Sequence, residues 1–318
     1  MRQLLSTIQW PFSRIKPYLR WVILGVTLFF LAKAVKDNWQ EVAQVRITEM
    51  GWVGLVVGLA VTVIAHLWSA WVWVRILHSF QQPVPVGWGM SVYLKTNIAK
   101  YLPGNIWHFY GRIVAVREAG VSGGVAVLSV LIEPVLMAAA AFLVGFTGLI
   151  LGEVSLLSFW GLGKVFLGLV AGGILAALHP IFLNNLIKFL GRLKKKALGT
   201  NNGDVGVFEV KHYPLGLLLG EGGFVLLRGL GFVLAVWAIF PGLDIAKVPV
   251  LLAGFSLAWL LGLVVPGAPG GIGIFEATAV VLLSGILGSG TILSAVAFYR
   301  LISVLAESLG WALAIILL

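Results

Sequence analysis

Residues 93–120 read YLKTNIAKYLPGNIWHFYGRIVAVREAG, and residues 265–277 read VPGAPGGIGIFEA. Both stretches interrupt apolar sequence with proline and glycine. Proline removes an amide donor and clashes with the preceding helical turn, while glycine frees the backbone for positive φ. In hydrocarbon such backbone would carry unsatisfied polar groups unless it were buried in protein or lined a wet cavity. One interruption falls in each half of the chain. That layout points to an intramembrane site built from two related repeats, with Pro266, Gly267, Gly270, Gly271, Gly273 and Glu276 forming the turn of the second. Residue identity between the halves is weak, so the repeat is read from layout.

Working outward, apolar runs lie at about 20–35, 51–77, 122–151, 156–178, 214–240, 246–265, 274–288 and 291–318. A span needs ~20 residues, and the first and seventh runs are marginal, so six to eight crossings are predicted. The composition agrees. Of 318 residues 60% are hydrophobic, a further 40 are glycine and only 11% are charged, too few to coat a water-facing surface. The predicted fold class is all-α, a polytopic membrane protein with two re-entrant segments and an inverted repeat, forming a single transmembrane domain over 1–318. Its first half is 1–178 and its second 214–318, joined by a polar segment at 179–213.

The net charge of +10 would suggest nucleic acid in a soluble protein, but the cations cluster beside apolar runs. Four precede the first run, three separate the first two, five lie from Arg75 to Arg117, and six lie in 179–213. None surrounds Glu153. This alternation places the N-terminus, residues 78–120 and residues 179–213 on the cytoplasmic side, and no nucleic-acid partner is expected. Within 179–196 apolar and polar residues alternate as in a helix lying in the membrane surface. The absence of cysteine excludes disulfides, thiolate nucleophiles and Cys-held metals.

Several side chains stand out. Asn97, Lys100 and Tyr101 fall on one helical face before Pro103 and Gly104, and Asn105 is a good N-cap for a second helix ending at Gly120. That second helix carries His108 and Arg112 on the face of Asn105. Lys100, the Gly104–Asn105 turn and Arg112 together could hold a phosphate; on the charges alone a re-entrant hairpin with snorkelling Lys and Arg stays open. Within the spans Glu133, Glu221, Arg228, Arg300 and Glu307 are functional suspects, because ionisable groups in a bilayer are expensive. Glu221 with Arg228, and Arg300 with Glu307, are seven apart: one face, too far for a direct bridge. A network of Glu133 with Arg228 or Arg300 is expected, with mutual neutralisation that fixes helix packing as the alternative. Gly54 with Gly58 and Gly168 with Gly172 suit close helix packing, and Trp68, Trp71 and Trp73 suit an interfacial belt. The histidines are scattered, H-E-x-x-H and G-x-S-x-G are lacking, and the glycines run G-x-G-x-x-E. No catalytic residue, metal or cofactor is therefore expected.

The run NIAKYLPGNIW, the later GR and REAGVS, a glutamate in the next span and PGAPGGIGIFE resemble the transmembrane region of lysylphosphatidylglycerol synthases, also called multiple peptide resistance factors, and their stand-alone relatives. The resemblance covers nearly the whole chain. It implies a flippase-like inner-membrane protein moving an anionic phospholipid or polyprenyl-phosphate-linked lipid between leaflets. The two interrupted segments would form cavities at opposite leaflets, joined by the intramembrane polar residues. The chain ends at Leu318 inside an apolar run, so the aminoacyl-transfer domain of two-domain members, and its activity, are not expected. An accessory that presents a lipid or glycan carrier to a separate synthesising enzyme is the second reading, and a lipid-modifying enzyme using Glu133 or Glu276 as acid or base the third. Self-association remains open.

Overall fold

The computed structural model describes residues 47–102, 106–152, 163–185, 212–265 and 273–316, with positions 188, 210 and 271 besides. The first apolar run, most of 179–213 and the tips of both interrupted segments lie outside these residues. Everything regular among them is helical.

Helix α1 (Glu49–Ser79) opens where the Thr48 hydroxyl accepts from the Gly51 amide at 3.1 Å. Its 31 residues extend about 46 Å, enough to cross a bilayer. Helix α2 (Val86–Asn97) tightens into a 3₁₀ turn at Ile98–Tyr101, and α3 (Trp107–Glu118) returns from it. Gly120, at φ 90°, ends α3 as the sequence predicts, because only glycine adopts that backbone without strain. Helix α4 (Gly123–Leu151) begins at a Ser122 cap, and α5 (Gly163–Ala177) follows.

The second half repeats this plan. Helix α6 (Leu215–Ile239) corresponds to α1. Helices α7 (Val248–Val264) and α8 (Ile274–Leu283) flank the second interruption as α2 and α3 flank the first, and α9 (Ser289–Ile316) corresponds to α4. Among the described residues five helical stretches, Glu49–Ser79, Gly123–Leu151, Leu215–Ile239, Ile245–Val264 and Ser289–Ile316, are long and apolar enough to span. The seventh apolar run contributes only the ten residues of α8, too short to cross.

The halves are inverted. Helices α1 and α6 pack along their length and run antiparallel: Gly51 meets Ala238, Gly58 meets Gly231, and Gly220 meets Val72. A methyl group on Gly51 would stand 2.5 Å from the Ala238 carbonyl oxygen, so glycine sets this helix separation. The flanking contacts also exchange under the repeat. The end of α4 lies on the start of α7, with Gly148 against Pro249. The end of α9 lies along the middle and last turn of α2, with Gly310 against Leu94 and the Ser91 hydroxyl donating to the Ala314 carbonyl at 3.3 Å.

Two expectations need correction. A methyl group on Gly172 would meet nothing within 4 Å and one on Gly168 only Phe146 at 4.0 Å, so this pair is not a packing motif here. Trp73 is fully buried rather than interfacial, whereas Trp68 and Trp71 are partly exposed. Of the surface segment, residues 180–185 are helical. Asn184 ties them to Val210 through two hydrogen bonds, at 3.1 and 2.8 Å.

Candidate functional site

A cavity of about 670 Å³ opens where the two hairpins meet the long helices. Residues of both halves line it. Asn97, Lys100, Tyr101, His108 and Arg112 line it from the first hairpin, and Gly271 and Phe275 from the second. Glu133, Arg228, Arg300 and Glu307 complete the polar wall. Phe142, Trp259 and Leu263 belong to the apolar remainder of the lining.

The partners differ from those expected. Arg112 pairs with Glu133, both side chains 2% exposed, and donates to the side-chain oxygen Oδ1 of Asn97 at 3.5 Å. Its guanidinium also lies over the Tyr93 ring, 3.7 Å from the centroid. Glu133 is therefore engaged by the hairpin arginine rather than by Arg228 or Arg300. In the second half Arg300 pairs with Glu276, and also donates to the Gly271 carbonyl at 3.3 Å. Glu276 accepts from the Gly273 amide at 2.7 Å, which fixes the start of α8. Each half thus ties its hairpin to the following span by one ion pair, with the signs exchanged between halves.

At the centre, Lys100 donates to Glu307 at 2.5 Å, and His66 Nε2 lies 3.5 Å from the same oxygen. The two cations proposed to hold phosphate, Lys100 and Arg112, are both already paired. Arg228 is not. Its Nε donates to the Tyr299 hydroxyl and its Nη2 to the Ser303 hydroxyl, each at 2.8 Å, and it bridges to no carboxylate among the described residues. Tyr299 is held rigidly for this role, its ring packed at 5.8 Å from Phe232 and 5.3 Å from Phe255. Arg228 is 7% exposed, so a nearly buried cation lines the cavity with hydroxyls as its hydrogen-bond partners among the described residues, and the carboxylate whose charge it feels, Glu307, is already bonded to Lys100.

His66, Tyr93, Tyr299 and Ser303 were not among the predicted site residues. Tyr299, Ser303 and Glu307 follow one another at four-residue intervals, one face of α9, a signal present in the sequence. Gly104, Asn105, Pro266, Gly267 and Gly270 lie outside the described residues. Helix α3 starts at Trp107 after Ile106, which makes no side-chain cap. Glu221 is wholly buried and does not line the cavity.

Residues 19–309 match the model of the family described as the lysylphosphatidylglycerol synthase TM region. The chain belongs to that family. No curated protein matches it. Membership establishes a multi-pass membrane region associated with lipid synthesis or translocation, in keeping with the five spanning stretches.

Proposed function

We propose that the protein translocates an anionic phospholipid or a polyprenyl-phosphate-linked lipid across the inner membrane, with its N-terminus cytoplasmic. Arg228 carries this reading. A buried cation without a carboxylate partner is costly, and a phosphate in the cavity would compensate it. Lys100 adds to the attraction, since it and Arg228 face the single carboxylate Glu307. The apolar lining suits acyl or prenyl chains, and the inverted halves offer the same architecture to either leaflet. The reading assigns lipid movement, not bond chemistry, to this chain.

The test is a lipid-scrambling assay in vesicles carrying a fluorescent phosphatidylglycerol. Wild type should equilibrate the leaflets, and Arg228→Ala should slow equilibration at least about tenfold, the equivalent of one charge-assisted hydrogen bond. Equal rates in well-folded protein would refute the assignment. The second reading, an accessory that presents the lipid to a separate synthase, draws on the family description itself. It predicts no scrambling by the isolated protein and copurification with an enzyme.

A further inference from the structure

Charge is unevenly distributed over two clusters of ionisable residues, and Glu221, in the second, lies outside the cavity lining. In the first, Lys100 and Arg228 face Glu307, leaving one positive charge in excess. In the second, Glu133 and Glu221 share the single guanidinium of Arg112, which bridges to Glu133. Glu221 is 0% exposed, and neither of its oxygens has a hydrogen-bond partner among the described residues. The imbalances are equal and opposite.

Among the described residues, nothing packed around Glu221 supplies a second cation. From α3 and α4 the charges acting on it are Arg112 and Glu133. Helix α2 adds Tyr93, whose hydroxyl is hydrogen-bonded to Ser69 of α1 at 2.6 Å. Helix α1 carries Trp68, bonded to the Gly220 carbonyl at 2.7 Å, and His66, which is turned to Glu307. Helix α7 has no ionisable residue, and the charges of α9, Arg300 and Glu307, are paired with Glu276 and Lys100. A carboxyl in such a place is accommodated in low dielectric when it holds a proton, and is solvated as a carboxylate only when the helices part. Seven residues separate Glu221 from Arg228 on one face of α6, a rise of about 10 Å.

We propose that Glu221 is a proton-binding site coupled to the anion at Arg228, so that one proton accompanies each phosphate group moved. The proposal rests on the translocation reading and names its driving force. A proton at Glu221 and a phosphate monoanion at Arg228 cancel both imbalances together, and the loaded protein rearranges without an uncompensated charge in the bilayer. No bond is made or broken except the O–H of the carboxyl.

The experiment uses the full chain in vesicles containing a fluorescent phosphatidylglycerol, with an imposed pH gradient. Wild type should move lipid with a bias toward the alkaline side of up to about tenfold per pH unit, abolished by a protonophore. Glu221→Gln, an isosteric stand-in for the protonated carboxyl, should lose the bias, whereas Glu118→Gln, on the distal end of α3, should keep it. A melting temperature equal to wild type certifies the fold of Glu221→Gln. If its melting temperature falls, the pH dependence of dioctanoyl-phosphatidylglycerol binding to wild type decides instead: binding that tightens as pH falls supports the proposal, and pH-independent binding overturns it. Gradient-insensitive scrambling by wild type, or an unchanged bias in Glu221→Gln, overturns the proposal and leaves translocation standing. Absence of any scrambling overturns the translocation reading, and this one with it, unless inorganic phosphate moves with the gradient, which retains the proton site and identifies a free anion as its cargo.

Discussion

Arg112 and Glu133 show at the residue scale what burial does to an ion pair. Both are 2% exposed, so removing one partner leaves the other charge uncompensated in low dielectric. Glu133→Ala should therefore destabilise the protein by about 3–5 kcal/mol, read as the fall in thermal unfolding midpoint in detergent. Replacing both with apolar residues, Arg112→Met with Glu133→Leu, should recover most of that loss, and a double variant no better than Glu133→Ala would argue against a compensated pair. Arg228 behaves differently. Its partners are hydroxyls on α9, so Tyr299→Phe should weaken binding of dioctanoyl-phosphatidylglycerol by roughly three- to tenfold, through loss of one hydrogen bond that orients the guanidinium. Equal affinity in a titration would show that Tyr299 does not position Arg228. The acidic residues, lysine and arginines of the site were legible in the sequence as suspects, because charge in an apolar span announces itself, whereas His66, neutral in the charge count, was not. Their pairing was not. Arg112 finds Glu133 across 21 positions and Lys100 finds Glu307 across 207, separations fixed by tertiary packing alone.

Among elements, glycine decides how closely helices approach. A methyl group at Gly148 would stand 2.5 Å from the Pro249 carbonyl oxygen and 3.0 Å from Ala253 Cβ, so α4 and α7 would have to separate. Gly148→Val should cost about 1–3 kcal/mol in a thermal melt, whereas Gly172→Val, in open space, should change the midpoint little. Equal effects would show that helix propensity rather than contact governs both. The sequence pattern small-xxx-small cannot tell these cases apart, because it specifies a helix face but not what lies opposite. Helix ends were more legible. Gly120 stops α3, and Glu276 anchors the first turn of α8, both through local backbone chemistry. The predicted cap of the second hairpin helix, Asn105, lies outside the described residues, and the helix begins at Trp107.

For the whole molecule, the two proline–glycine interruptions were sufficient to suggest an inverted repeat, since they break the spans at corresponding places. Conversion of that layout into a shared cavity required the antiparallel contact of α1 with α6, which draws the two hairpins to a common centre. Because the chain has no cysteine, introduced pairs can report on this arrangement without background. Leu94→Cys with Gly310→Cys, and Gly148→Cys with Pro249→Cys, should both crosslink, since each joins the end of a span to the first helix of the other half's hairpin. Crosslinking of only one pair would contradict the exchange symmetry. The central claim, that the cavity between the inverted halves holds a phosphate-bearing lipid at Arg228, is tested most directly by native mass spectrometry of protein extracted in mild detergent, with identification of the retained lipid. The account predicts a phosphate-bearing lipid on wild type that Arg228→Ala loses; equal retention by both proteins, or no lipid on either, would contradict it.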